Sequence, residues 1–152
     1  MNDTELQAKV TERWGARATP SAARERRLFV SVALADLKPV MKWLKDELGF
    51  YHVSTITGLD SGANWEVLYH LHDGRAELTL RTAFPKAADG SRPRIPTATD
   101  IIPGAILYER ELQDMFGFIV DGIPDPRRYV LPEDWPADVY PLRKDYKVNA
   151  GN

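Results

Sequence analysis

The chain has 152 residues, 43% hydrophobic and 28% charged, with a formal net charge of -2, a composition that predicts one folded domain and excludes a disordered or fibrous chain. Without a basic surplus no nucleic-acid partner is expected, and with no cysteine the chain carries no disulfide, thiolate nucleophile or Cys-ligated zinc or iron–sulfur site. No apolar run reaches the roughly 18 residues of a membrane span, and the opening MNDTELQAKV lacks a secretory h-region, so the expected location is cytoplasmic.

Leu6, Val10 and Trp14 recur at i, i+4, i+8, which predicts a helix over 3–14 capped by Asn2 or Asp3 and stopped by Gly15. Residues 16–27 contain Pro20 and the basic run Arg24, Arg26, Arg27, and read as a linker with a solvated charge run. Leu28, Val30, Val32 and Leu34 alternate with residues that are themselves apolar or small, the pattern of a central strand covered on both faces. The period then changes: Leu37, Val40, Met41, Leu44 and Leu48 form a helical stripe, with Asp36 as N-cap, Pro39 in the first turn and Gly49 past the end. A strand is expected over 51–57 and a loop over 58–63.

From Trp65 to Phe84 two alternating runs flank Asp73-Gly74, a dipeptide that suits a two-residue type I′ hairpin. That turn sets Trp65, Val67, Tyr69 and Leu71 on the core face opposite Thr82, Leu80, Leu78 and Ala76, and on the outer face Glu66 opposite Arg81, Leu68 opposite Thr79 and His70 opposite Glu77. After a proline-rich loop with Pro85, Pro93 and Pro96, another helix starts near Pro103 and ends at Gly117, its buried stripe being Ala105, Tyr108, Leu112, Met115 and Phe116. The fold class that follows is α+β, a small mixed or antiparallel sheet of about four strands with helices packed on it. Its core domain is 1–122, followed by an extended proline-rich C-terminal tail over 123–152.

Two clusters invite chemistry. His70 and His72 share a strand face, with Glu77 across the ladder and His52 on another strand, a set that suggests a His-based metal-binding module. Exposed polar alternation explains the same residues. Glu109, Arg110, Glu111 and Asp114 place three carboxylates and a guanidinium on less than two turns, the groups that acid/base catalysis uses; an i, i+4 ion pair from Arg110 to Asp114 explains them structurally. The tail lacks any period yet holds Trp135, Tyr140 and Tyr146 with Arg127, Arg128 and Arg143, residue types enriched at interfaces. Either it packs back on its own domain or it docks on a partner, with Trp135 as the expected anchor.

The stretch YERELQDMFGFIVDGIPDPRRYVLPEDWPADVYPLRKDY, residues 108–146, resembles the 30 kDa subunit family of respiratory NADH dehydrogenase (complex I), which includes a related subunit of energy-converting membrane-bound nickel–iron hydrogenases. The matching residues are Glu109, Arg110, Glu111, Asp114, Phe116 and Gly117, then Gly122, Pro124, Asp125, Arg127 and Arg128, and finally Pro141, Leu142, Arg143, Lys144, Asp145 and Tyr146. Most complex I members have His where this chain has Ile123, so a role of that His does not transfer. The ending looks closer to the hydrogenase branch or to archaeal relatives. The resemblance implies a non-catalytic subunit with no cofactor of its own, peripheral on the cytoplasmic side of the membrane. It would bind a large subunit (49 kDa-like or hydrogenase large) and a small cluster-carrying subunit, which hold the iron–sulfur clusters and the quinone or nickel–iron site. The matching residues other than Phe116 and Gly122, with Trp135 and Tyr140, are the expected partner-binding set.

Overall fold

The computed structural model describes residues 2–25 and 27–148; Arg26, one member of the basic run, lies outside them. Helix α1, Asp3–Trp14, begins with a capping box in which the Asn2 side chain accepts from the Glu5 N–H at 2.9 Å and the Glu5 carboxylate accepts from the Asn2 N–H at 3.0 Å. It buries Leu6 and Val10 and sets Trp14 edge-on to Trp43, centroids 6.2 Å apart.

The segment expected as a linker is a strand. β1, Ala18–Arg24, runs antiparallel to β2, Arg27–Val32, with Ala18, Pro20 and Ala22 opposite Val32, Val30 and Leu28. Small residues give little hydrophobic period, but β2 would otherwise present an unpaired edge, and Pro20 is compatible with an edge strand that needs no outward donor. Arg27 reaches Glu77 at 3.5 Å. β2 itself is second from the edge rather than central: Leu28, Val30 and Val32 are buried while Phe29 and Ser31 are half-buried. Leu34 falls past its end, in a 3-10 turn over Leu34–Asp36.

Helix α2, Leu37–Leu48, buries Leu37, Val40, Met41 and Leu44 and ends at Gly49 with φ +78°. Asp36 makes no cap hydrogen bond; its carboxylate holds Arg17 instead. β3, His52–Asp60, continues through the expected loop start at Gly58, and is followed by β4, Asn64–His72, and β5, Glu77–Pro85. The sheet is mixed and five-stranded, in the order β1-β2-β5-β4-β3, with β2 parallel to β5 and the other pairs antiparallel. A 3-10 turn, Pro103–Ala105, leads into helix α3, Ile106–Phe116. The proline-rich loop hides a further strand, β6 at Arg94–Pro96, parallel to β7 at Ile119–Asp121.

The hairpin register differs from the expected one by two residues. Trp65 faces Phe84, Val67 faces Thr82, Tyr69 faces Leu80 and Leu71 faces Leu78; on the outer face Glu66 faces Ala83, Leu68 faces Arg81 and His70 faces Thr79. A type I′ turn requires positive φ at both central residues. Here only Gly74 has it, φ +90°, while the Asp73 carboxylate accepts the N–H groups of Arg75 and Ala76, both at 2.8 Å, and widens the turn to four residues. An even shift leaves every side chain on its expected face, so Trp65, Val67, Tyr69 and Leu71 stay buried. The outer-face contacts persist along the diagonal: Arg81 holds Glu66 at 2.8 Å and the His70 ring lies 3.7 Å from Glu77.

Candidate functional site: helix α3 and the segment that wraps it

The polar residues of α3, for which an Arg110 to Asp114 ion pair was the structural expectation, divide between the core and residues 123–148. Its buried side is Leu112 and Phe116, which press on β3 at Gly58, where a Cβ would sit 2.7 Å from Leu112 and 2.8 Å from Phe116. Tyr108 and Met115, expected in the buried stripe, are only partly buried against the core.

Glu109 is on the core side, fully buried. Its carboxylate accepts from the Thr97 hydroxyl at 2.6 Å and from the Ala98 N–H at 2.5 Å, and Thr97 in turn contacts Thr99 Oγ1 at 2.7 Å. Burial pushes the Glu109 carboxyl above the ordinary glutamate range, and the two hydrogen bonds pull partly the other way. One carboxylate thereby fixes the turn between β6 and α3. Nothing in the sequence signals that Thr97 and Ala98 supply its donors.

Arg110 does not pair with Asp114. It donates to the carbonyls of Arg127 at 2.7 Å and Arg128 at 2.8 Å, lies 3.6 Å from Asp125, and stacks over the Tyr129 ring at 5.3 Å. Asp114, buried, accepts three successive backbone N–H groups on one oxygen: Tyr129 at 2.9 Å, Val130 at 2.8 Å and Leu131 at 3.1 Å. Gln113 adds a bond to the Pro126 carbonyl at 3.3 Å. Glu111 makes no hydrogen bond or ion pair among the described residues, although it is half-buried. The three carboxylates of the cluster thus face different surroundings, and the geometry gives no support to a shared acid/base centre.

Residues 123–148 contain no helix or strand, as composition predicted. Asp125 is gripped by Arg127 at 2.7 Å and accepts its N–H at 3.1 Å, contacts that hold its carboxyl well below the usual range. Arg128 donates to the carbonyls of Pro132 at 3.0 Å and Trp135 at 2.7 Å. Trp135 is half-buried, donates from Nε1 to the Val139 carbonyl at 2.9 Å and leans on Tyr146 with centroids 6.5 Å apart. Further along, the Leu142 N–H donates to the Met115 carbonyl at 3.0 Å and the Lys144 N–H to Asp60 at 3.0 Å. Arg143 lies between rings, its guanidinium carbon 4.4 Å from the Tyr140 centroid and 5.2 Å from that of Trp65. Arg127 and Arg128 use their forked donors within the chain, whereas Arg143 donates from Nε to the Phe116 carbonyl and its buried Nη2 has no hydrogen-bond partner.

Gly117 makes room for this. With φ +77° it ends α3, and a Cβ there would meet Tyr140 at 2.5 Å and Arg143 at 2.7 Å. Sequence reasoning missed Asp60, Arg92 and Trp65: Arg92 bonds the carbonyls of Gly117 at 2.8 Å and Phe118 at 3.3 Å, and Lys86, which holds Asp60 at 2.6 Å, sits 4.3 Å from the Trp65 centroid. The sequence pointed there only through the loop expected over 58–63.

The histidines are occupied otherwise. His70 Nε2 lies 3.2 Å from Thr57 Oγ1 and its Nδ1 3.2 Å from Thr79 Oγ1, while His72 Nδ1 accepts the Gly74 N–H at 3.0 Å. His52 and His72 stack with centroids 4.5 Å apart. Among the described residues no group of three or more His, Cys, Asp or Glu is gathered to hold a metal ion, nor is any helix long and apolar enough to cross a membrane.

Fold and site together define an α+β domain whose third helix, through Arg110 and Asp114, clamps an irregular C-terminal segment. The chain belongs to the respiratory-chain NADH dehydrogenase 30 kDa subunit family, whose model matches residues 30–152. It is 32% identical over 149 residues to the C 1 subunit of the NADH-quinone oxidoreductase of Rhizobium meliloti, covering 95% of this chain and 72% of that one. It is also 53% identical over 57 residues to formate hydrogenlyase subunit 5 of Escherichia coli, where the match covers 38% of this chain and spans only 10% of the relative's length. Among solved structures it is similar to a chain of the membrane-bound sulfane sulfur reductase, an archaeal respiratory membrane complex, with TM-score 0.76, 28% identity, and coverage of 97% of this chain and 86% of that one.

Proposed function

We propose that this chain is a non-catalytic structural and assembly subunit of the cytoplasmic arm of a membrane-associated oxidoreductase, either NADH:quinone oxidoreductase-like or an energy-converting nickel–iron hydrogenase. It docks through α3 and residues 123–148 on the large subunit and lies beside a small cluster-carrying subunit, and the iron–sulfur clusters and the quinone or nickel–iron site belong to those partners. Its own attachment to the membrane runs through the complex.

One observation carries this reading. Asp114 pins the backbone of Tyr129 and Val130, yet their side chains remain 52% and 43% exposed. An ordered irregular segment that presents an aromatic and an aliphatic side chain to water does little for its own core and suits a partner surface. The similarity to a subunit of an archaeal respiratory membrane complex supports the membrane association. The full complex assembled with and without this chain tests it: omission is expected to abolish stable association of the large and small subunits, while the purified chain shows no flavin, nickel or iron. A complex that assembles and turns over normally without the chain overturns the reading.

A further inference from the structure

We infer that the free edge of β3 is part of the docking surface, and that an extended segment of the large subunit adds to it as a sixth strand. The inference deepens the docking reading and rests on it.

The ladder shows which groups are available. β3 pairs with β4 alone, at one end of the sheet. Beyond the register shift between Val53 and Thr55 the pairing runs in step to Asp60 opposite Trp65, and the next pair is closed by the Ser61 N–H donating to the Asn64 carbonyl at 3.0 Å. Bonded and non-bonded pairs alternate along an antiparallel ladder, so Asp60, Gly58 and Ile56 direct their N–H and C=O groups away from β4. Among the described residues none of these groups has a backbone partner.

Free edges are ordinarily guarded by proline, by charge, by shortness or by a covering element. β1, at the other end of the sheet, carries Pro20 and packs beside α1. β3 is nine residues long and contains no proline, lysine or arginine. Its irregularity lies ahead of Ile56, and its only carboxylate, Asp60, is held by Lys86 at 2.6 Å and by the Lys144 N–H at 3.0 Å. What remains is an uncharged run with β-branched residues at 55, 56 and 57, a template for pairing. Thr55 is exposed and Leu59 is 43% exposed, so nothing in the chain covers it.

Position and chemistry name the occupant. The bond from the Lys144 N–H to Asp60 ties the end of β3 to the C-terminal segment, two residues from Leu142, which is 54% exposed. A subunit seated on residues 123–148 therefore meets the end of β3 without leaving that surface. Main-chain bonds to Ile56, Gly58 and Asp60 supply affinity for any extended backbone, and alternate side chains supply the selectivity. Beside Ile56, buried on the core face, the added strand needs an apolar residue; beside Thr55 and Thr57, on the outer face, it needs a β-branched or small polar one.

The test is residue-resolved amide hydrogen exchange of the full chain, free and bound to the large subunit. The Ile56, Gly58 and Asp60 amides should exchange rapidly in the free chain, and binding should slow them about 100-fold or more. Thr55→Lys combined with Leu59→Lys charges the edge without removing an internal hydrogen bond, and should weaken binding about 10-fold or more while the free chain's melting point stays nearly unchanged. If that variant does not fold, the exchange measurement on the unsubstituted chain decides alone. Rapid exchange of the three amides in the bound chain overturns the inference and leaves docking through α3 and residues 123–148 standing. Protection already present in the free chain and lost on dilution assigns the edge to a second copy of the chain, and also overturns it. If the unsubstituted chain does not bind the large subunit, both readings fail together.

Discussion

Arg143 Nε–H donates to the main-chain carbonyl of Phe116 at 2.6 Å, joining the last residue of α3 to a side chain 27 positions later. The bond satisfies a helix-terminal carbonyl that has no partner within the helix, and it brings the guanidinium between Trp65 and Tyr140. Much of what holds residues 140–144 in place depends on this contact and on the glycine beside it.

Gly117→Ala is therefore expected to cost about 1 to 3 kcal/mol, combining the left-handed backbone penalty with displacement of Tyr140 and Arg143. Gly49 has nearly the same φ, +78°, but nothing within 4 Å of a Cβ, so Gly49→Ala should show only the backbone part, about 1 kcal/mol. Thermal melts of the two variants check this; equal losses would show that the crowding at Gly117 is relieved at no cost.

Asp114→Ala leaves three backbone N–H groups without their charged acceptor, and a total loss of about 3 to 5 kcal/mol is expected, less than three independent bonds because one oxygen serves all three. Asp114→Asn keeps an acceptor oxygen and should lose about 1 to 2 kcal/mol. Urea titration gives the stability, and faster proteolysis confined to residues 123–135 would identify the segment released. Uniform loss of protection across the sheet would point to a global role instead.

Glu109 makes a pH-dependent contribution whose sign follows from its raised pKa. Above the ordinary glutamate pKa and up to the raised one, the folded chain binds more protons than the unfolded chain, so this group's contribution is full at low pH and falls as pH rises through the folded pKa. Asp46, Asp60 and Asp100, whose pKa values are lowered, act with the opposite sign, so the informative quantity is the difference between the unsubstituted chain and Glu109→Gln. That difference should shift in favour of Glu109→Gln as pH rises from 4 to 8. A flat difference curve in denaturant titrations would show that Glu109 ionises without penalty.

Removing residues 136–152 deletes the Leu142, Arg143 and Lys144 contacts but no element of the five-stranded sheet. The truncated chain should keep its far-UV circular dichroism, melt several degrees lower, and lose most of its affinity for the large subunit. Unchanged affinity with a sharply lowered melting point would assign the segment to the domain's own stability and not to the interface.

Local periods made much of this fold legible. The stripes of α1, α2 and α3 and the alternation of β4 and β5 depend on residues a few positions apart, and they placed most core side chains, though not Glu109, while Tyr108 and Met115 are only partly buried. They were blind to the hairpin register, because a shift of two preserves every face; the Asp73 carboxylate, by capping Arg75 and Ala76, chose between alternatives that the alternation leaves equal. They were blind to β1 as well, whose small residues carry no period and whose strand form comes from the ladder of β2.

At the site, sequence by itself marked residues 108–146 as a unit and gave the composition of the tail. Only the tertiary structure divided the labour within Glu109, Arg110, Glu111 and Asp114: a buried carboxylate bracing Thr97 and Ala98, a guanidinium and a second carboxylate clamping residues 127–131, and one acid left unpaired. The physical reason is that an i, i+4 pair on a helix is worth only a few tenths of a kcal/mol, about 0.2 to 0.5, too little to hold a charged side chain against a better partner from elsewhere. Its partner is whichever unsatisfied donor or acceptor the distant chain brings within about 3 Å, and here those are backbone groups of segments with no side-chain pattern to announce them.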